Sequence, residues 1–317
     1  MRKIIGLAIS CVIIFTTIGC WDLRGISNRA FITAIALDAS DKGYKVGFLI
    51  PKPARIRIID RELISVHQTV EAESISKAAY ILQTELSREV NFSHLRVLII
   101  GEKIAREKNF NDLINFFYKD PAVAMRFKLV FIEGNEAHDV LDNMPVLDRS
   151  IASDLVGLAA VGEKLGLTRL ARFADFLGDL RASDGTALGT RIINSKKGNE
   201  DVTARLGGAI YNHWRLAGWL NADEIQAANW LISRNPESLV VCKLGRGQYS
   251  YKVETKDVKI TPKVTDGRLA FKVRIKTVGG IAEQEGSSLD LSEPRNLNRL
   301  EEVFTRKIRS QALSAVN

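Results

Sequence analysis

Histidine and carboxylate side chains are the groups in this chain best suited to acid–base chemistry or metal binding, and their spacing argues against both. No two of the four histidines have the spacing of metal ligands: His67, His94, His138 and His213. Asp223 and Glu224 are adjacent, so on a helix they would point about 100° apart and not form an acid–base pair. No metalloprotease, CxxC, phosphate-loop or nucleophile-elbow motif occurs. We therefore predict a protein that is not an enzyme, with no catalytic residue, no cofactor and no bound metal.

Cys20 is the residue whose surroundings predict a covalent modification. The basic start at Arg2 and Lys3 and the apolar run 4–15 describe a secretory signal peptide. A cysteine after a small residue at the expected cleavage point resembles the lipobox of bacterial lipoproteins, in which the thiol receives a diacylglyceryl group and becomes the first mature residue. Thr17 departs from that pattern, which usually has Leu three residues before the cysteine. We predict lipidation of Cys20, since two acyl chains on one residue give stable anchoring.

Two other interpretations of the N-terminus stay open. An uncleaved membrane anchor is disfavoured because the apolar run of about 12 residues is shorter than the roughly 20 that span a bilayer. A plain cleaved signal would leave Cys20 unmodified. Of the other cysteines, Cys11 lies in the leader, and Cys242 lies in the apolar run 239–242. Cys242 is therefore expected to be a core residue without a disulfide partner.

Composition describes an ordinary folded protein with a concentrated basic region. The chain has 317 residues, 26% of them charged and 46% hydrophobic, with a net charge of +8, which is typical of two or three globular domains. Ten lysines or arginines lie between Lys243 and Lys276 against three acidic residues. A basic surface of this kind fits anionic lipid headgroups, an acidic partner surface or a simply solvated sheet face. Nucleic acid is not an expected partner of an exported chain.

Hydrophobic periodicity predicts the α+β class, a multi-domain mixed α/β protein. Strands and helices alternate in the first half, the middle is mainly helical, and the last part combines strands with a helix. The polar run 195–201 is the predicted linker. The predicted divisions are a signal peptide 1–19, a lipidated tether 20–30, an N-terminal α/β domain 31–145, a mainly helical middle segment 146–200 and a C-terminal α+β domain 201–317.

The last third gives the clearest local predictions. Asn221 is expected to cap a helix from Ala222 to about Ser233. The segment 258–276 alternates apolar and mostly basic residues on both sides of Asp266-Gly267, which predicts an amphipathic hairpin with a basic outer face. A final helix is expected over 296–312.

Four segments, in order along the chain, carry a family resemblance: Gly19-Cys20-Trp21-Asp22 with Leu37-Asp38; His94-Leu95-Arg96-Val97-Leu98-Ile99-Ile100-Gly101-Glu102; Phe116-Phe117-Tyr118-Lys119-Asp120-Pro121; and Gly207-Gly208-Ala209-Ile210-Tyr211 with Leu216-Ala217-Gly218-Trp219-Leu220-Asn221, Glu224 and Trp230-Leu231. Together they resemble the C subunit of spore germinant receptors, the GerC-type lipoproteins of endospore-forming bacteria. By their residue types alone, Trp219 and Trp230 are expected to be packing residues.

The resemblance implies a lipid-anchored, non-enzymatic receptor subunit at the outer face of the spore inner membrane. Its partners would be the membrane-embedded A and B subunits of the germinant receptor and, through the diacylglyceryl anchor, membrane lipid. Family members usually continue with another helix and a closing strand, so we expect a C-terminal domain that is truncated at Asn317. The alternative function is a lipid-anchored solute-binding protein of a transporter, which needs two similar lobes around a cleft. A cell-envelope hydrolase is a further rival.

Overall fold

The structure is a computed structural model. It describes residues 28–52, 65–142, 150–197, 200–232, 237–265, 268–286 and 289–316. The predicted signal peptide and Cys20 lie outside these ranges, so their structure stays a prediction. None of the helices in the described ranges is both long and apolar enough to cross a membrane.

The described part of the chain contains strands throughout its length. In chain order they are β1 (Arg29–Phe31), β2 (Ala34–Ser40), β3 (Gly43–Pro51), β4 (Ser65–Ala72), β5 (Glu89–Asn91), β6 (Val97–Gly101), β7 (Lys128–Glu133), β8 (Ala187–Lys197), β9 (Glu200–Asn212), β10 (Arg215–Leu220), β11 (Ser238–Leu244), β12 (Gly247–Thr265) and β13 (Arg268–Glu285).

Helices connect these strands and cover the sheets. They are α1 (Ile75–Glu85), α2 (Glu102–Glu107), α3 (Phe110–Lys119), a short 3-10 helix (His138–Asp142), α4 (Ile151–Lys164), α5 (Phe173–Ala182), α6 (Ala222–Leu231) and α7 (Pro294–Ser314). The α+β class predicted from the sequence is confirmed.

An eight-stranded mixed sheet is the main layer, in the order β10-β9-β8-β7-β6-β2-β3-β4. Its four middle strands, β8, β7, β6 and β2, run parallel. Every residue of β6 is buried, as expected for a parallel strand that is covered on both faces. Alternate residues of β2 point to opposite faces, so Ile35 and Leu37 belong to one core while Ala34 and Ala36 belong to the other.

The larger core, on the Ile35 side of the sheet, includes residues of α1, α3 and α5, and the smaller one includes residues of α4 and the 3-10 helix. An aromatic cluster lies in the larger core around Tyr211. The centroid of the Tyr211 ring lies 5.4 Å from that of Phe110, 5.0 Å from that of Phe131 and 5.3 Å from that of Phe176. Aromatic contacts of this kind add stabilisation beyond their buried area. Since Tyr211 belongs to β9, this core joins residues far apart in the chain.

The predicted linker at 195–201 is wrong. Residues 187–197 and 200–212 are the strands β8 and β9, which pair antiparallel along their lengths. The β9–β10 pair therefore joins the eight-stranded sheet. A polar composition marks exposure, but it does not prevent a strand from continuing when its partner strand supplies the hydrogen bonds. The domain limits themselves stay predictions.

A second, three-stranded antiparallel sheet has the order β11-β12-β13. Its core joins Trp230 of α6 and Leu300, Phe304 and Ile308 of α7 to strand residues that include Cys242. The prediction that Cys242 is a core residue is confirmed, since it is buried and unpaired by a disulfide. The predicted hairpin is confirmed too, with Val258 opposite Ile275 and Val264 opposite Leu269.

Candidate functional site at the carboxyl edge of the parallel strands

Polar side chains gather where the parallel strands end, the edge at which open α/β sheets usually place functional residues. Asp38 lies near the end of β2 and is only 3% exposed. Its Oδ1 accepts a hydrogen bond from the Ala137 backbone N–H at 2.7 Å, and its Oδ2 accepts one from the His138 N–H at 2.9 Å. The carboxylate thereby fixes the start of the 3-10 helix to the central strand of the sheet.

The backbone around Asp38 leaves little room for any other arrangement. Gly101 is the neighbour of Asp38 on β6, and a Cβ at this glycine would lie 2.1 Å from Asp38 Oδ1. Two segments of the family resemblance, Leu37-Asp38 and the one ending Gly101-Glu102, thus meet in space. Burial raises the pKa of Asp38 even though the hydrogen bonds from Ala137 and His138 oppose this shift.

His138 and Lys45 extend the network from Asp38 towards the surface. The Nδ1 atom of His138 lies 3.0 Å from Asp38 Oδ2, and the Lys45 Nζ lies 2.7 Å from His138 Nε2. Because an ammonium group only donates, Nε2 accepts from Lys45 and Nδ1 carries the proton that is donated to Asp38. Lys45 also donates to Glu136 at 2.9 Å, and this hydrogen bond lowers the pKa of Glu136.

Asp38, Glu136 and His138 offer three ligand atoms that lie within 4.8 Å of one another. Their existing bonds do not favour a metal ion, since both Asp38 oxygens accept from backbone N–H groups. The Lys45 ammonium already supplies the positive charge beside Glu136 and His138. The arrangement is therefore a closed hydrogen-bond network that fixes structure.

A second network joins Glu102 to β10. Glu102 Oε1 accepts from Trp219 Nε1 at 3.1 Å and from Arg106 at 2.8 Å, and its Oε2 accepts from the Gly134 N–H at 3.0 Å. Burial tends to raise the pKa of Glu102, but these three donors together lower it. Trp219 thus acts through packing and one structural hydrogen bond, as its residue type led us to expect.

Arg191 completes this edge from β8. Its guanidinium forms an ion pair with Glu133, donates to the Leu220 carbonyl at 2.9 Å and lies 5.8 Å from the Trp219 ring centroid. The close approach of β10 needs a glycine at 207, because a Cβ there would lie 2.4 Å from the Leu220 oxygen. The fourth segment of the resemblance therefore packs beside the second.

Trp230 and the third segment of the resemblance have structural positions as well. Trp230 is fully buried, and its Nε1 donates to Ser238 Oγ at 3.0 Å. Phe117 is buried in the larger core, and the chain leaves α3 at Asp120, whose side chain accepts from the Ala122 N–H at 2.9 Å. These contacts explain the residue types without a ligand.

Two concave regions lie elsewhere on the surface. One of about 600 Å³ lies between the start of α1 and α3, and includes Tyr44, Asp112 and Lys119. Another of about 520 Å³ lies near the start of β1, and is largely apolar with Arg29 and Arg88 among its residues. Each is formed by one part of the chain, before Pro121, and so neither is a cleft between two lobes.

Sequence reasoning did not single out Asp38, His138 and Lys45 as a cluster. The available signal was a carboxylate at the end of the apolar run Ala34–Leu37, because a buried charge needs hydrogen-bond partners. Nothing in the sequence identifies the residues 100 positions away that supply them. The predicted lipidation site, Cys20, lies outside the described residues.

Comparisons with known proteins agree over most of the chain. The family described as the spore germination protein N-terminal domain matches residues 22–193, and the family described as spore germination B3/GerAC like, C-terminal, matches residues 206–317. Spore germination protein B3 of Bacillus subtilis (strain 168) is 23% identical over 303 residues, which cover 92% of this chain and 78% of that protein. Spore germination protein KC of the same strain is 24% identical in an alignment 337 residues long, which covers 98% of this chain and 82% of that protein.

The fold also matches a solved structure. The crystal structure of the GerBC protein superimposes with a TM-score of 0.55 at 21% sequence identity, over 89% of this chain and 80% of that chain. At this identity the match shows a shared fold. It agrees with the arrangement of a large mixed sheet followed by a smaller sheet with its helix.

Proposed function

Since the chain belongs to the GerAC family of spore germination proteins, we propose that it is a lipid-anchored, non-enzymatic subunit of a germinant receptor complex. The observation that supports this most strongly is the pair of family matches, which together take in residues 22–193 and 206–317. The first match begins two residues after Cys20. That position fits a mature protein whose folded part starts just behind a lipidated cysteine.

The proposed role is to hold a rigid docking body at the outer face of the spore inner membrane. The diacylglyceryl group on Cys20 confines the folded part to the surface, which raises its effective concentration near the membrane-embedded A and B subunits. The two hydrogen-bond networks support this role, because they connect the strand ends and leave the sheet edge with a fixed shape. Germinant is bound chiefly by the partner subunits.

The rival role of a solute-binding protein has less support. That class closes two similar lobes around its ligand. Here one eight-stranded sheet takes strands from residue 34 to residue 220, and the next largest sheet of the described chain has three strands. The two sheets differ in size, strand direction and helix cover, so they do not form a matching pair.

The anchor is tested by substituting the cysteine. Cys20→Ala is compared with Cys11→Ala, a matched control that removes a thiol from the leader without touching the acylated position. We expect labelled fatty acid in the parent and control chains and none in Cys20→Ala. A parent chain without the label, or a Cys20→Ala chain that keeps it, would contradict the lipid anchor.

Membership of a complex is tested by affinity purification of the tagged chain from spore membranes. The A and B subunits should co-purify with the parent chain and with Cys11→Ala, and should be lost or depleted with Cys20→Ala. Recovery of the parent chain without either subunit would contradict the receptor role, whatever the outcome of the fatty-acid labelling.

A further inference from the structure

The far part of the β12–β13 hairpin projects beyond the rest of the smaller sheet. β11 pairs with β12 only from Gly247 to Val253, whereas β12 and β13 stay paired out to Thr265 and Arg268. We call residues 257–265 and 268–276 the distal ribbon. It is two-stranded and about 30 Å long at roughly 3.3 Å per residue.

One face of the distal ribbon is entirely apolar. Residues directly opposite in an antiparallel pair share a face, and four such pairs lie on this one: Val258 with Ile275, Ile260 with Val273, Pro262 with Phe271, and Val264 with Leu269. Exposure increases towards the tip, where Val264 is 75%, Leu269 63% and Phe271 60% exposed. Large exposed apolar faces of this kind usually contact another surface.

The opposite face of the distal ribbon is basic. Its cross-strand pairs are Asp257 with Lys276, Lys259 with Arg274, Thr261 with Lys272, and Lys263 with Ala270. With Arg268 at the tip, which pairs with Thr265, six cations lie on this face against one carboxylate. In an isolated ribbon they repel one another, so the arrangement favours a counter-surface that carries negative charge.

An anionic bilayer surface suits both faces at once. Amphipathic elements that lie in a membrane interface insert an apolar face to the headgroup boundary and carry Lys and Arg at the level of the lipid phosphates. A second copy of the chain would cover the apolar face and leave the cations unneutralised. An acidic protein surface would neutralise the cations and leave Phe271 and Leu269 in water.

We propose that the distal ribbon lies on the anionic membrane surface, with the Phe271 face towards the acyl chains and the Lys272 face among the phosphates. This inference rests on the membrane location in the proposed function and adds a second point of contact to it. With the N-terminus as the first contact, the ribbon sets the orientation of the folded part on the membrane.

The test places a thiol-reactive, polarity-sensitive fluorophore on either face of the full chain. Phe271→Cys reports on the apolar face and Thr261→Cys, on the opposite face of the neighbouring strand, is the matched control; Cys242 is buried and should not react. The chains are bound to vesicles of phosphatidylcholine with phosphatidylglycerol, or of phosphatidylcholine alone, with and without brominated acyl chains as quenchers. In the anionic vesicles we expect a blue shift and strong quenching at position 271 and little at 261.

Charge reversal tests the basic face. With Lys259, Lys272 and Lys276 all replaced by Glu, the ratio of membrane-bound to free ribbon should fall at least about tenfold, since each cation near an anionic surface contributes favourably. Vesicles of phosphatidylcholine alone should have the same effect on the parent ribbon. Equal quenching of the parent and charge-reversed chains would overturn the assignment of anionic lipid.

The remaining outcomes separate the ribbon from the anchor. A label at position 271 that stays in water on anionic vesicles overturns the proposal, and one that is shielded without vesicles, increasingly with protein concentration, identifies a second copy instead. The measurement is repeated with Cys20→Ala and excess anionic vesicles. In the parent chain, flotation without quenching at 271 would contradict the ribbon contact alone. Quenching at 271 that persists in Cys20→Ala would show that the ribbon binds lipid without the anchor, which is judged separately by the fatty-acid label on Cys20.

Discussion

Replacing Gly101 by alanine should break the hydrogen bonds that attach the start of the 3-10 helix to Asp38 in the eight-stranded sheet. The new Cβ would lie 2.1 Å from Asp38 Oδ1, and the carboxylate would have to leave the position in which it accepts from Ala137 and His138. Hydrogen bonds to a charged group contribute roughly 1.5–3 kcal/mol each. We therefore expect Gly101→Ala to lower the free energy of unfolding by about 3 kcal/mol.

The control is an alanine at Gly178 in α5, where a Cβ would meet no atom within 4 Å. Because alanine favours a helix over glycine by roughly 0.8–1 kcal/mol, Gly178→Ala should stabilise the protein slightly. Urea unfolding measures both free energies, and hydrogen exchange of the Ala137 and His138 amides measures the local effect. Those two amides should lose protection in Gly101→Ala and keep it in Gly178→Ala.

A double-mutant cycle identifies the cause. In an Asp38→Ala background the carboxylate is gone, so Gly101→Ala should cost about 2 kcal/mol less than it does in the parent chain. If the two substitutions are additive, or if Gly101→Ala alone costs under about 1 kcal/mol, the steric argument is wrong. Unchanged protection of the Ala137 amide would also refute it.

Three further outcomes follow from buried groups. Burial lowers the pKa of Lys256 to about 8, so between about pH 8 and 10.5 the unfolded chain binds more protons than the folded chain and the free energy of unfolding rises with pH. Lys256→Met should remove this rise. At pH 7 it should raise the free energy of unfolding, measured with urea, by about 1 kcal/mol after allowance for the partial exposure of Lys256. Trp230→Phe should cost about 1–2 kcal/mol in thermal unfolding, because it removes the hydrogen bond that Trp230 Nε1 donates to the buried Ser238 hydroxyl. Arg191→Lys cannot keep both the ion pair with Glu133 and the bond to the Leu220 carbonyl, so it should increase hydrogen exchange in β10. The control Arg181→Lys, at an exposed position of α5, should not.

The local pattern of the sequence was enough for elements whose contacts are close in the chain. Asn221 caps α6 as predicted, and Glu224 completes a capping box with it. The alternation around residues 258–276 predicted the hairpin, which the structure contains. In each case the residues that form the hydrogen bonds are neighbours or lie across one turn, so residue type and period determine the result.

Long-range pairing was not predictable in the same way. The sequence of a strand does not reveal which strand it pairs with, and β9 joins β8 in the first sheet. Asp38 likewise depends on donors about 100 residues away. The turn between β9 and β10 was not predictable from residue type either. His213 and Trp214 adopt positive φ angles of 48° and 65°, at positions where such a turn usually has glycine or asparagine.

The position of β2 has a mechanical consequence. In the described chain the short strand β1, paired with β5, precedes it, yet β2 lies inside the eight-stranded sheet, with β6 on one side and β3 on the other. Once the β1–β5 pair has separated, tension on the chain ahead of Asn28 would load the hydrogen bonds of Ala34–Leu37 to β6 and of Ala34–Ser40 to β3 in shear, so that many must break together. A strand at the sheet margin would instead peel away one bond at a time. A lateral pull on the chain ahead of Asn28 should accordingly move the folded part as a unit before it extracts the strand.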